Sequence, residues 1–189
     1  MFATIYLPNF YLQAALRYQE IPTRLPIALI DDQEKKAVII QLNSAAEAAG
    51  IRKGMTPSQG LARSLHLVLK TRSRAQEKSI AEIVLHYAFT VSPYVEATAP
   101  GLTTIEFKTN RDLMTKIERI VENLAANAII AQAGLAQTPD TSFLAAYLAR
   151  PILQVEEAKR FLSTLPIDTL AIDLPYDTAG ADLRSINSR

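Results

Sequence analysis

The chain contains no cysteine and no tryptophan, and only two histidines, His66 and His86, among its 189 residues. Without thiols there is no disulfide framework and no thiolate nucleophile, and two histidines twenty positions apart lack zinc-ligand spacing. No stretch approaches the about 18 consecutive apolar residues of a membrane-spanning helix. The opening Met-Phe-Ala-Thr-Ile-Tyr-Leu-Pro-Asn has neither the basic n-region nor the apolar h-region of a secretory signal. The sequence therefore predicts no membrane association and a cytoplasmic address. An excess of one charge is missing too: 20 Lys and Arg stand against 19 Asp and Glu, a formal net charge of +1, so no chain-wide attraction for nucleic acid is built in. What is present is apolar residues at 49% and charged residues at 21%, enough to bury a core in one large domain or two small ones.

Charge is uneven along the chain. Arg63, Lys70, Arg72, Arg74 and Lys78 fall within sixteen positions that hold a single acid, Glu77, and Arg52-Lys53 lies between Gly50 and Gly54. These cations are candidate phosphate contacts, by charge and by the close backbone approach that glycines permit; the plain alternative is a solvated face. No Lys or Arg lies between Arg119 and Arg150, so that stretch has no side-chain charge with which to grip phosphate.

Periodicity and turn chemistry predict the elements. Phe2 to Leu7 reads as a strand ended by Pro8, with Asn9 as N-cap of a helix to about Gln19. Pro26 to Ile30 and Ala37 to Leu42 read as a strand pair joined by a polar connector. Ser44 to Ala49 reads as a helix with Gly50 at the C′ position, and Pro57 opens another to about Ser64. His66 to Lys70 is a strand candidate. Ser73 and Gln76 form a capping-box pattern before a helix carrying Ile80, Ile83, Val84 and Tyr87. Thr90 to Ala97 and Thr103 to Lys108 read as a hairpin turned by Pro100-Gly101. Asn110 is the predicted cap of a helix whose stripe is Leu113, Ile117, Ile120, Val121 and Leu124, followed by a strand from Ala128 to Ala136. Helices from Asp140 or Thr141 to Ala149 and from Val155 to Leu162 complete the pattern, and Tyr176 to Arg189 reads as a polar, frayed end. The order β-α-β-β-α-β, with residues 20 to 75 inserted, predicts an α+β, ferredoxin-like split β-α-β unit.

Several segments in register resemble the Y-family of lesion-bypass DNA polymerases, over nearly the whole chain. Phe10-Tyr11 matches the end of the family's Asp-x-Asp-x-Phe-Tyr/Phe signature. Ala46 to Met55 matches Ala-Arg-x-x-Gly-Val-Arg-x-x-Met of the fingers, and Leu65-His66-Leu67 the Cys-Pro-x-Leu region after it. Thr90 to Lys108 aligns without a gap to Thr-Pro-x-x-Glu-x-x-Ser-x-Asp-Glu-Ala-Tyr-Leu-Asp. The resemblance implies a palm of residues 1–11 and 76–164, a small inserted α/β fingers subdomain of residues 12–75, and the beginning of a thumb or linker at 165–189, with the little finger absent. It also implies losses. The first signature's aspartates fall on Tyr6 and Pro8, and the catalytic Asp-Glu pair falls on Gly101-Leu102. The Tyr and Arg that cradle an incoming triphosphate fall on Ser44 and Glu47, and the Lys expected after the last palm strand is missing from 138–149. Tyr11 falls at the aromatic gate against ribonucleotides, although an aromatic beside a strand is more often core. Glu96 and Glu106 match the remaining acids of the hairpin, and sliding the register by one or two positions puts no acid at the first site.

A two-metal phosphoryl-transfer site needs clustered carboxylates, because hard Mg²⁺ takes oxygen ligands and the two ions sit about 3.5–4 Å apart. The missing carboxylates lead to the expectation of an inactive homologue with no catalytic residues, no metal and no cofactor, and the resemblance implies that it acts as an adapter in mutagenic translesion synthesis. Its implied partners are DNA, bound weakly through Arg52, Lys53, Arg63, Lys70, Arg72 and Arg74, an error-prone C-family polymerase that does the chemistry, and a recombinase-like accessory protein. A sliding clamp would be reached only through a C-terminal region outside these residues. Two other readings stand: an active Mg²⁺-dependent nucleotidyltransferase using Glu96 or Glu106, and an unrelated ferredoxin-like interaction domain.

Overall fold

A computed structural model describes residues 1–170 except 20, 21, 23, 32–36 and 110. The expected features at Asn110, at the connector between the first strand pair and at 176–189 lie outside the described residues. The chain divides into two compact units, one formed by Met1–Leu7 with Ile83 onward and the other by Pro8–Glu82.

The first unit is a five-stranded sheet in the order β5-β6-β1-β7-β8, with β1 (Phe2–Tyr6), β5 (Tyr94–Ala99), β6 (Leu102–Glu106), β7 (Gln132–Ala136) and β8 (Ile152–Gln154). β1 runs antiparallel to both neighbours, pairing Phe2 with Glu106 and Tyr6 with Leu102 on one side and Tyr6 with Gln132 on the other. Its interior residues Ala3, Thr4 and Ile5 are fully buried, as a central strand covered on both faces requires. The strand order of β5, β6, β1 and β7 is that of the ferredoxin-like split unit. Helix α5 (Leu113–Ala126) buries the apolar stripe its sequence foretells and packs on β7.

Helix α6 (Pro139–Leu148) packs on β1, β7 and β8. Thr138 caps it by accepting from Thr141 N, and Pro139 takes the first position, where its missing N–H is harmless. Its approach is made possible by Gly134: a Cβ there would lie 2.2 Å from both Ala146 N and Ser142 O. Opposite Gly134, the Thr4 hydroxyl meets Ser142 Oγ at 2.7 Å. Because Ser142 donates its proton to Pro139 O at 2.7 Å, Thr4 is the donor of that pair. Beyond β7, Ala136, Ala145 and Val155 form a cluster with Leu153 and Phe161, the last from α7 (Ala158–Ser163).

The second unit holds a three-stranded sheet, β3-β2-β4, with β2 (Ile27–Ile30) antiparallel to β3 (Ile39–Leu42) and parallel to β4 (Val68–Thr71). Its core is Ala28, Ile39, Leu42, Ala46, Ile51 and Leu67. The helices are α1 (Phe10–Leu16), α2 (Ser44–Ala48) and α3 (Pro57–Arg63). The Asn43 amide oxygen accepts from Ile27 N and Ala46 N, so one side chain caps α2 and ties it to the sheet. Gly50 ends α2 with φ of 80°, as its sequence position foretells. Helix α4 (Arg74–Phe89) carries the chain back to the first unit.

Several sequence expectations are corrected. Asn9 does not cap with its side chain; it adopts the left-handed region, and α1 stops at Leu16. Because α1 clusters with the inserted segment, the helix before the hairpin is α4. The Ser73-Gln76 capping box does not close, since Gln76 Oε1 has no partner; the box forms instead at Thr56 and Gln59. α4 runs to Phe89, so the hairpin begins at Tyr94 rather than Thr90. β4 begins at Val68, leaving His66 in the preceding turn, and β7 begins at Gln132 because Ala128 turns the chain at φ of 57°. The segment expected to be helical from Val155 follows the strand β8, which the sequence reading did not mark, and reaches helix only at Ala158.

A Gly134→Ala substitution should destabilise the protein by about 3 kcal/mol or more, because the new methyl meets helix backbone rather than a flexible side chain. The shift of the urea midpoint at unchanged slope measures it.

Candidate functional site

The two segments in which the resemblance finds its losses meet at one end of β1. Tyr6 faces Leu102 across the ladder, and Leu7 N donates to Gly101 O at 2.8 Å. Gly101 turns the hairpin with φ of 73°. Tyr147 of α6 places its ring 5.6 Å from the Tyr6 ring at an interplanar angle of 46°. Burial pushes the Tyr6 phenol above its ordinary value of 10.0, and Tyr147 adds to the rise, so the oxygen stays protonated. Leu102 is buried and purely apolar. The donor set at this junction is thus a neutral phenol, a Gly101 carbonyl already accepting from Leu7, and an alkyl side chain.

That set does not fit a pair of divalent cations, which need carboxylate oxygens held in common. The hairpin's acids lie elsewhere on the same face. Glu106 is four positions along β6 from Leu102, about 13 Å at strand rise, and it is paired with Lys108. Glu96 stands opposite Thr104. Both line a shallow groove with Phe2, Tyr94, Thr98 and Pro139. Among the described residues, no cluster of three or more His, Asp or Glu could hold a metal ion.

In the second unit the six cations separate by environment. Lys53 and Arg63 are exposed and Lys70 is half-buried. Arg52 is exposed but its Nη1 donates to Glu47 O at 2.7 Å and Ile51 O at 2.8 Å, at the end of α2. Arg72 corrects the expectation of a phosphate contact. Its side chain is only 6% exposed and forks onto Glu77, Nε to Oε1 at 2.9 Å and Nη2 to Oε2 at 2.7 Å, while Nη1 reaches Asp31 at 2.9 Å. Burial opposes the Arg72 charge, but the hydrogen bonds and charge of Glu77, with Asp31, outweigh it and raise the pKa above the ordinary arginine value. Arg74 joins the same acids, 3.1 Å from Asp31 and 3.6 Å from Glu77, with its side chain 41% exposed.

Tyr11, at the gate position, lies beneath this network. The Arg72 guanidinium carbon stands 3.8 Å from its ring centroid, Phe10 packs at 5.3 Å, and the residue is buried. It is a core aromatic here. Ser44 and Glu47, at the positions of the triphosphate cradle, sit exposed in the short helix α2. Sequence reading missed Asp31 and Glu77 as the acids that take up Arg72; the signal available was Glu77 itself, the one acid within the basic run. It also missed Tyr147, which no motif marks.

The model of the impB/mucB/samB family matches residues 5–146. Among solved structures, an insertion ternary complex of Dbh DNA polymerase is similar with a TM-score of 0.77 at 11% identity, covering 92% of this chain and 53% of that one. DinB from Sulfolobus solfataricus is similar with a TM-score of 0.76 at 14% identity over 92% and 53%. A Y-family DNA polymerase chimera built on Dbh is similar at 0.73 and 12% over the same shares. The chain spans about half the length of these structures. No curated protein sequence matches at a significant level. The shared architecture is the mixed α/β fold of Y-family polymerases. No helix among the described residues is long and apolar enough to cross a membrane.

Arg72→Met should cost about 3–5 kcal/mol, because it removes the cation that forks onto the buried Glu77 and reaches the buried Asp31. Lys70→Met, removing a cation outside the network, should cost well under that. Paired urea titrations of the two variants make the comparison.

Proposed function

The chain belongs to the impB/mucB/samB family, and on that premise we propose that it is the palm and fingers part of an ImuB-like, catalytically inactive Y-family polymerase homologue. In this reading it serves damage-induced mutagenic translesion synthesis as a cytoplasmic adapter. The palm is residues 1–11 and 76–164, the fingers 12–75, and 165–189 begin a thumb or linker. One observation carries the reading. The pairing of Tyr6 with Leu102 puts both places where carboxylates would be needed side by side, and both hold groups that cannot bind a hard cation. Random decay would also damage the apolar pattern around them, yet Ala3, Ile5, Ile105, Ala133 and Leu135 remain fully buried.

The chain keeps what an adapter needs. In this reading DNA is held weakly, through phosphates, by Arg52, Lys53, Arg63, Lys70 and Arg74, while Arg72, enclosed by Glu77 and Asp31, supports the fold. An error-prone C-family polymerase performs the synthesis, and a recombinase-like protein completes the assembly. The active-enzyme alternative draws on the groove shared by Glu96 and Glu106.

Purified protein with primer-template, all four deoxynucleotides and Mg²⁺ or Mn²⁺ should show no templated extension. Extension that disappears in Glu106→Ala would contradict the proposal and establish the alternative. DNA binding should weaken steeply with salt, and Lys53→Ala with Lys70→Ala should lower the slope of log affinity against log salt by about 2. Absence of any DNA affinity at low salt would contradict the DNA-holding part of the proposal.

A further inference from the structure

β5 is an outer strand of its sheet and pairs on one side only, with β6. Which of its main-chain groups are left over follows from the bonds of its neighbours. Phe107 N donates to Met1 O and Leu7 N to Gly101 O, both at 2.8 Å. In an antiparallel ladder, residues that exchange bonds with one neighbour alternate with residues that turn to the other. Thr103 and Ile105 therefore face β1, while Leu102, Thr104 and Glu106 face β5. Across that second ladder Tyr94 stands opposite Glu106 and Glu96 opposite Thr104. Ser92 Oγ agrees with this phase, since it donates to Glu106 O at 2.6 Å and accepts from Tyr94 N at 3.2 Å, bridging the two strands. Tyr94 and Glu96 thus spend their main-chain groups on β6, and Val95 and Ala97 point N–H and C=O out of the sheet. Among the described residues, no hydrogen bond reaches those outward groups.

The strand around them is open. Tyr94 is 51% exposed, Glu96, Ala97 and Thr98 are exposed, and Val95 is half-buried. Neither Lys nor Pro, common guards of a free edge, occurs in Tyr94–Ala99. The register shift between Ala97 and Ala99 ends regular pairing just beyond the second outward residue. The one charge of the strand, Glu96, has no ion pair among the described residues, whereas Glu106 on the same face is held by Lys108.

We propose that β5 takes up an antiparallel strand from a partner protein that places a Lys or Arg opposite Glu96. Such a strand satisfies every outward group at once. Its residues opposite Val95 and Ala97 exchange both bonds with them, and the residue between takes the closely spaced, non-hydrogen-bonded position facing Glu96. A cation there meets the unpaired carboxylate, a stabilising pair across strands. The same register refuses a second copy of this chain. Pairing Val95 with Ala97 of the copy, and Ala97 with its Val95, sets Glu96 directly against Glu96, and like charges so placed repel. Shifting the copies by two positions brings in either Pro93, which has no N–H, or Ala99, which is already paired with Leu102. Main-chain bonds supply the affinity and Glu96 the choice of partner. This surface does not depend on the adapter reading.

The test titrates the isotopically labelled chain, followed by its backbone amide resonances, with a capped synthetic strand Thr-Thr-Val-Lys-Val-Tyr-Thr and with the same strand carrying Glu for Lys. The Lys strand should shift the amides of residues 94–98 and slow hydrogen exchange at Val95 and Ala97. Methylating the amide nitrogens of its two Val residues, which meet Val95 and Ala97, should abolish the shifts, and methylating that of its Lys, which points away, should leave them. The Glu strand should bind about tenfold more weakly than the Lys strand, and Glu96→Lys, at an exposed position, should reverse that order. No shifts at 94–98, equal affinity for the two strands, an order unchanged in Glu96→Lys, binding indifferent to which amides are methylated, or self-association of the native chain through β5 would each overturn the proposal. The titration needs no synthesis activity, so templated extension by the pure protein would sink the adapter reading without touching this result, and a failed titration leaves the extension result as it stands.

Discussion

The antiparallel pairing of β1 with β6 is the constraint on which the rest of the first unit depends. It fixes Tyr6 opposite Leu102 and holds Leu7 to Gly101 through a main-chain bond. Since side chains alternate across a strand, the same register commits Thr4 and Tyr6 to the side covered by α6 and Ala3 and Ile5 to the other. A slip by one position would bring the fully buried Ile5 to the face on which Tyr6 meets Tyr147. The register is thus locked by packing on both sides of the sheet, and the chemistry at the strand end follows from whichever residues the sequence supplies there.

Those residues make the junction apolar and aromatic. A phenol kept neutral by burial stacks at a tilt with Tyr147, and Leu102 fills the facing position. A pair of hard cations needs carboxylate oxygens held in common, which a protonated phenol, a turn carbonyl and an alkyl side chain do not supply. The second unit shows the opposite use of charge. There the strongest cation, Arg72, is buried between Asp31 and Glu77 over the Tyr11 ring, where removing one member would strand the others. The strand-end junction of the first unit is held by packing without charge, while charge in the second holds that unit together.

Much of this was legible in the residues. The stripe Leu113, Ile117, Ile120, Val121 and Leu124 announced α5 because its period matches a helix with one buried face, and Pro100-Gly101 announced the hairpin because a turn there needs a positive φ. That Tyr6 and Gly101-Leu102 meet was legible from the order of the segments alone. What sequence could not supply was pairing between distant positions. Arg72 looked like a free cation because Asp31, its partner across forty-one positions, belongs to a different segment. β8 was invisible because three residues are too few to show alternation. Tyr11 matched a gate by position, yet its environment is set by Arg72, which only the folded unit brings over its ring.

The most direct measurement is paramagnetic broadening by Mn²⁺, comparing the native chain with a Tyr6→Asp/Leu102→Glu double variant. If β1 and β6 bring together two positions that lack ligands for a hard cation, the native chain shows no broadening centred on residues 6, 7, 101 and 102, and the double variant acquires it there. Broadening at those residues in the native chain, or a double variant that gains none, would contradict the account.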